Sequence, residues 1–236
     1  MPDYETRSVK KIFAEVPATY ELVNHVLTLG LDVLWRRRAA RSAAKAIGPG
    51  KWADMCTGTG ETAVYLSRLA PEGTSVYGVD FSEPMLTEAR KKPRAGQIKF
   101  VAADIKDLPF EDATFDLLTM SFATRNINLS REILIQSFAE YYRILKPGGC
   151  FVNVETSQPP SRLIRKCFHT YIRLFVKAIG SRVSGSRTAY AYLAGTIPRF
   201  YSAEELADII REAGFEKVTF RRCLFGAVAI HRACKL

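Results

Sequence analysis

The spacing of apolar positions changes period along this chain. Over the first fifty residues they recur at helical intervals, through Ile12, Phe13, Val16, Tyr20, Val23, Val26, Leu27 and Leu29, and Pro17 is set to begin a second helix. A third helix is expected over 31–46, stopped by Gly48-Pro49-Gly50. From there short apolar runs alternate with helical patterns. Strands are predicted at 51–56, 75–79, 98–102, 115–121 and 149–156, and helices at 61–69, 83–91 and 131–145. Such alternation calls for a parallel sheet joined by right-handed crossovers.

Beyond Pro159-Pro160 the pattern is helical again. Leu163, Ile164, Cys167, Phe168, Tyr171, Ile172, Phe175, Val176 and Ile179 mark one apolar face, and the opposite face is basic. A helix over 203–213 ends at Gly214, and strand-like runs at 218–224 and 227–231 close the chain in antiparallel fashion. The expected architecture is one α/β domain with a seven-stranded, mostly parallel sheet and an antiparallel last strand. Its parts are an N-terminal helical cap (1–49), a cofactor-binding core (50–157), a basic helical insertion or lid after strand 5 (158–200), and a C-terminal helix and hairpin (201–236).

Composition adds little until charge is located. The 236 residues are 47% hydrophobic and 25% charged, ordinary for a globular domain, and the formal charge is +10. Between Thr156 and Ala203 there is no Asp or Glu but eight basic residues: Arg162, Arg165, Lys166, Arg173, Lys177, Arg182, Arg187 and Arg199. That block suits a nucleic acid, an anionic membrane surface or an acidic protein, or is simply a solvated face. No apolar run reaches the roughly 18 residues of a membrane span, and Met1-Pro2-Asp3-Tyr4-Glu5 lacks the order of a signal peptide, so a cytoplasmic location is expected. The five cysteines form no Cys-x-x-Cys pair and, with three scattered histidines, no zinc spacing. They read as small, mostly buried thiols, and no metal is expected.

The chemistry concentrates at Asp54-Met55-Cys56-Thr57-Gly58-Thr59-Gly60, a Gly-x-Gly turn between a predicted strand and a predicted helix. Asp80 follows at the end of the next strand, where a carboxylate receives ribose hydroxyls. A dinucleotide site usually has a third glycine three residues after Gly60, and here that residue is Ala63. Glu61 places an acid at the positive end of the helix, which disfavours a pyrophosphate there. The turn therefore suits a nucleoside ligand without phosphate, and S-adenosylmethionine is one.

Across nearly the whole chain the sequence resembles the quinone-biosynthesis class I C-methyltransferases, which methylate demethylmenaquinol and the related polyprenyl methoxybenzoquinol. The resemblance is carried by Tyr20 to Asn24, Leu29-Gly30-Leu31, Leu34-Trp35-Arg36, Gly58-Thr59-Gly60, Val79-Asp80-Phe81-Ser82 and Leu108-Pro109-Phe110. It continues through Ser121-Phe122, Arg125-Asn126, Leu145 to Gly149, Tyr192-Leu193, Ala213-Gly214-Phe215 and Ala229-Ile230-His231. The sequence departs from that pattern at His25, where the family more often has Asp, and at Asp32, where it often has His. Ala123-Thr124 replaces a usual Gly-Leu, and Ala191 a common Arg.

The resemblance implies a Rossmann-like class I methyltransferase fold with S-adenosylmethionine as methyl donor. It implies cofactor contacts at Thr59, Asp80, Asp104, Ile105 and Ser121, beside Gly58 and Gly60; Asp54 orients the turn or reaches the ammonium group through water. Arg125, after the fourth strand, is the expected catalytic residue, aided by Asn126 and Tyr20. A guanidinium is a poor base, so its role is to stabilise phenolate character on the quinol. Demethylmenaquinol is the expected substrate; a ubiquinone-precursor benzoquinol, or O-, N- or C-methylation of another small aromatic metabolite, stays open, as does a homodimer. No nucleic-acid substrate is expected, because the end of strand 4 lacks the acid or Asn before Pro-Pro used on base amines. Residues 161–182 are expected to pack on the sheet and also meet an anionic membrane, peripherally.

Overall fold

The computed structural model describes His25, residues 28–180 and residues 195–236. The helices expected before residue 25, Tyr20, and the Tyr192-Leu193 segment lie outside the described residues.

Helix α1 (Leu31–Ala46) precedes β1 (Lys51–Met55), and the pattern continues through α2 (Glu61–Leu69), β2 (Ser75–Asp80), α3 (Glu83–Ala89), β3 (Ile98–Ala102) and β4 (Phe115–Ser121). Then follow α4 (Thr124–Ile127), α5 (Arg131–Ile144), β5 (Leu145–Thr156), α6 (Arg162–Gly180), α7 (Ala203–Glu212), β6 (Lys217–Cys223) and β7 (Val228–Cys234). The seven strands form one sheet in the order β3-β2-β1-β4-β5-β7-β6. Strand β7 runs antiparallel to both of its neighbours, and the remaining pairs are parallel. The order reverses between β1 and β4, so the loops after these two strands open a crevice at their carboxyl ends, the usual ligand position in such sheets.

Each face of the sheet carries helices because the strands are apolar on both sides. On one face α5 and α7 supply Leu134, Phe138, Tyr141, Leu206, Ile209 and Ile210. On the other, α1 and α2 supply Trp35, Ala39, Ala40, Ala43, Ala63, Val64 and Leu66. The alanine stripe of α1 is small enough to bring that helix close to the sheet. Where a helix must start sharply, the sequence provides a cap: Ser130 accepts from the Ile133 amide, and Ser202 with Glu205 forms a reciprocal capping box.

Three features differ from the sequence-based expectation. Strand β5 begins at Leu145 rather than 149, because Leu145 pairs with Phe115 ahead of an irregularity at Pro147-Gly148-Gly149. The four-residue α4 is too short to leave a helical period. Cys150 and Cys234, expected as thiols, are joined by a disulfide, while Cys56 and Cys223 are half-buried and Cys167 is exposed. The antiparallel return of β7 sets residue 234 opposite residue 150, a pairing across 84 residues that no local spacing announces.

Candidate active site

The turn after β1 is held from beneath by two buried acids. Asp54 accepts hydrogen bonds from the hydroxyls of Thr57 at 2.7 Å and Thr119 at 2.8 Å, tying the turn to β4. Asp80 accepts from the amides of Gly58 at 2.8 Å and Ser82 at 2.9 Å, tying it to the end of β2. The Thr57 amide donates to the Val79 carbonyl at 2.9 Å. Gly58 and Gly60 sit at φ 55° and 83°, the left-handed region that suits glycine. The two glycines do different work. A β-carbon at Gly60 would stand 3.0 Å from the Ala89 side chain, so Gly60 lets α3 pack close, whereas one at Gly58 would meet nothing within 4 Å. The turn is therefore open above Gly58.

Burial sets the electrostatics here. Desolvation raises the Asp54 carboxyl to about 6, although the Thr57 and Thr119 hydroxyls and the nearby Arg36 oppose the rise. Burial likewise raises Asp80 above the ordinary carboxylate range, against the pull of its backbone amide donors. Two buried carboxylates destabilised by lost water favour a ligand that brings a cation and hydroxyl donors, not a phosphate.

The other expected cofactor residues lie around this turn. Thr59 is buried within it. Ser121 ends β4 and accepts from the Thr62 hydroxyl at the start of α2, at 3.2 Å. Asp104 lies two residues beyond β3 rather than at its end, and the preceding Ala103 amide donates to the Asp80 carbonyl at 3.0 Å. Ile105 is buried in the core beside Leu108. Glu61 forms an ion pair with Lys92.

A second region begins one residue after Ser121. Phe122 takes a left-handed φ of 58° and donates its amide to the Val154 carbonyl, turning its ring toward Trp35, with centroids 6.3 Å apart. These rings, with Arg125, Thr156, Phe168 and Ile197, line an apolar cavity of about 370 Å³. The Arg36 guanidinium lies 5.1 Å from the Phe122 ring centroid, on the side leading back to Asp54.

Arg125 is 5% exposed and stands on α4. Its guanidinium donates to the Thr196 hydroxyl at 2.8 Å, and its backbone amide donates to the Glu155 carboxylate at 3.1 Å. Glu155, fully buried, also accepts from the amide and hydroxyl of Thr156. Thr124 donates to Asn153 at 2.8 Å, so two polar side chains of β5 hold the short helix that presents Arg125. Asn126 is buried, its Oδ1 has no hydrogen-bond partner, and it is not among the residues lining the cavity.

The sequence reading did not identify Glu155, although a lone acid ending the apolar run Cys150 to Val154 was its signal. It also passed over the lining role of Leu224, Phe225 and Ile197, which lie far from the motif region in sequence.

A doubly wound sheet with a carboxylate-backed glycine turn at its switch point and an antiparallel final strand defines the class I S-adenosylmethionine-dependent methyltransferases. The chain belongs to the ubiE/COQ5 methyltransferase family, whose profile matches residues 1–235. It is 37% identical over 227 residues to the ubiquinone/menaquinone biosynthesis C-methyltransferase of Desulfotalea psychrophila, covering 96% of this chain and 90% of that protein. It is 36% identical over 222 residues to the demethylmenaquinone methyltransferase of Thermus thermophilus, covering 93% of this chain and 98% of that one. A solved methyltransferase of Thermotoga maritima, a possible histamine N-methyltransferase, superposes with a TM-score of 0.60 at 23% identity, covering 95% of this chain and all of that one, a likeness of fold. The protein is a methyltransferase that uses S-adenosylmethionine as methyl donor.

Proposed function

We propose that this enzyme methylates a ring carbon of a polyprenylated quinol, with demethylmenaquinol as the substrate. The observation that carries the reading is the continuity at the end of β4. Ser121 accepts from Thr62, two residues after the glycine turn, and Phe122 and Arg125, one and four residues later, line a cavity walled by aromatic and aliphatic groups. The names of the relatives support the quinol as substrate class.

In this reading Asp80 receives the ribose hydroxyls, Asp54 faces the cationic portion and holds the turn, and Asp104 with Ile105 bounds the adenine. Gly58 and Thr59 lie along the methionine portion, and Gly60 and Ser121 complete the turn. Bound there, S-adenosylmethionine supplies a methyl group on a sulfonium, ready for attack by carbon. The protein's part is to make the ring carbon nucleophilic and keep water away. Arg125 beside a quinol oxygen favours loss of the hydroxyl proton, which raises electron density at the neighbouring ring carbon. The donor would supply its methyl group to that ring carbon, its sulfur keeping the electron pair of the bond given up. The ring carbon's own proton would then leave to solvent as aromaticity returns and the quinol oxygen regains a proton, so that one proton is released for each methyl group transferred. Asn126 and Tyr20 assist Arg125, and the basic face of α6, within 161–182, lies against anionic head groups.

The test is incubation with labelled methyl donor and two reduced, short-chain substrates, a demethylnaphthoquinone and a benzoquinol analogue. Labelling of the naphthoquinol is expected. Labelling of the benzoquinol alone points to the ubiquinone precursor, and labelling of neither, with cofactor binding intact, rejects the quinol.

A further inference from the structure

Three apolar residues at the mouth of the cavity combine two properties that rarely meet. Leu29, Leu224 and Phe225 all line the cavity, yet they are 72%, 48% and 75% exposed. All three also take left-handed backbone angles, φ 53°, 46° and 53°, a conformation uncommon for bulky side chains. Each of the two corners ends in a glycine that is itself left-handed, Gly30 after Leu29 and Gly226 after Phe225. At Gly226 a β-carbon would stand 2.8 Å from Pro160, so the corner is pressed against the segment that leads into α6. The backbone is bent at a cost and holds large apolar groups out in solvent, which folding alone does not reward.

The surroundings indicate what these groups face. On α6, Arg162, Lys166 and Arg173 are exposed, and so are Leu163 at 72% and Leu174 at 64%. Exposed Arg221 lies on β6 shortly before Leu224, and its neighbour Arg222 is ion-paired with Glu204. No acid occurs in the sequence between Thr156 and Ala203, and Glu204 just beyond it is taken up by Arg222. Apolar tips at the mouth of a cavity, on a molecule whose 156–203 stretch carries exposed cations beside exposed leucines, match the interface of an anionic bilayer, where hydrocarbon takes apolar groups and head groups take cations.

We infer that the mouth of the cavity is a bilayer-inserting collar, with Leu29 on one side and Leu224-Phe225 on the other entering an anionic membrane. A tail dissolved in that membrane then enters the cavity without crossing water. Only this last step rests on the proposed quinol substrate; the docking itself does not.

The experiment places a fluorophore at each tip. Phe225→Trp and Leu29→Trp variants are mixed with vesicles of phosphatidylglycerol and phosphatidylcholine that carry brominated acyl chains and no quinol. Leu236→Trp is the control, because residue 236 lies beyond the far end of β7 from Phe225 and is 74% exposed. The wild type with the same vesicles gives the background, since Trp52 is buried in the core and Trp35, though buried, lines the cavity. Quenching in the two collar variants but not in the control is expected. A Leu224→Ser/Phe225→Ser variant, checked for folding by thermal melting, is expected to lose about tenfold in vesicle partition. Should that variant fail to fold, the quenching result decides alone.

Vesicle binding without quenching at either tip reduces the contact to electrostatic adsorption and overturns the collar. Absence of vesicle binding at low salt overturns it as well. If the wild type self-associates without vesicles and the serine variant does not, the tips belong to a second copy of the chain and the collar is again rejected. Because no quinol is present, none of these results depends on the methyl acceptor.

Discussion

His25 Nδ1 lies 2.7 Å and 2.9 Å from the two carboxylate oxygens of Asp32, forming a pair seven residues apart. Asp32 is 1% exposed and also accepts from the Thr28 hydroxyl at 2.8 Å, with Arg36 Nε at 3.7 Å on the same carboxylate. Thr28 lines the cavity and Arg36 acts on Asp54, so the pair stands between the proposed substrate and cofactor sites. In sequence these two positions looked like separate departures from a family that more often carries Asp first and His second. In space they are one contact.

Reversing the pair is therefore expected to be tolerated where either single change is not. His25→Asp sets two acids together, and Asp32→His sets two imidazoles beside Arg36. The double variant His25→Asp/Asp32→His is expected to recover most of the lost melting temperature, with a coupling of about 1–2 kcal/mol in a denaturation cycle. Losses that simply add would show that the contact carries no stability.

The contact illustrates what the sequence does and does not disclose. Elements with a strong period were legible to within a residue or two at most ends: α1, α2, β3 and β4 have the expected bounds, because caps, glycines and β-branched runs act locally. The carboxylate-backed turn was legible too, since strand, glycine turn and acid are linked by one crossover. What was not legible is what sheet register alone decides. The Cys150–Cys234 disulfide, the Glu155 carboxylate under the Arg125 amide, and the Leu224-Phe225 corner at the cavity all depend on how β7 and α4 meet β5. Charge in the 156–203 stretch was visible, but the exposed apolar tips at the cavity needed three dimensions.

Cofactor affinity is expected to weaken in acid. With burial raising Asp54 to about 6, the carboxyl is protonated below that pH in the free protein, whereas a cationic ligand favours the ionised form. Affinity is then flat above about pH 7 and falls by up to about tenfold per pH unit below 6. Calorimetric titration with S-adenosylmethionine checks this, and Asp54→Asn is expected to flatten the acid limb. An acid limb unchanged in that variant would assign it to another group.

His231 makes stability, too, fall in acid. Burial lowers its pKa to about 4; its Nε2 donates to the Ala203 carbonyl at 2.8 Å and Nδ1 has no partner. The ring stays neutral in the folded protein while the unfolded chain titrates near 6.5. Its contribution is complete above that value and is lost as pH falls toward 4, roughly 3 kcal/mol in all. Asp54 pulls the other way in part of this window, so the readout is the difference between wild type and His231→Gln, which keeps a donor for Ala203. The variant is expected to lose less stability between about pH 6.5 and 4 in urea denaturation.

Arg125 is the residue on which the chemistry is proposed to turn. Arg125→Ala is expected to lower kcat about a hundredfold, the cost of roughly 3 kcal/mol seen when an oxyanion donor is removed. S-adenosylmethionine affinity is expected to stay within a few fold, because the guanidinium faces the cavity and bonds Thr196 rather than the glycine turn. Arg125→Lys keeps the charge without the planar fork and is expected to fall between the two. Unchanged kcat in the alanine variant would remove Arg125 from the mechanism.

The most direct measurement is the position of the transferred methyl group. The enzyme is incubated with S-adenosylmethionine carrying a 13C methyl and a reduced short-chain demethylnaphthoquinone, and the product is examined by carbon NMR. The account predicts the label on a ring carbon of the quinol; label on a quinol oxygen, or none despite intact cofactor binding, would contradict it.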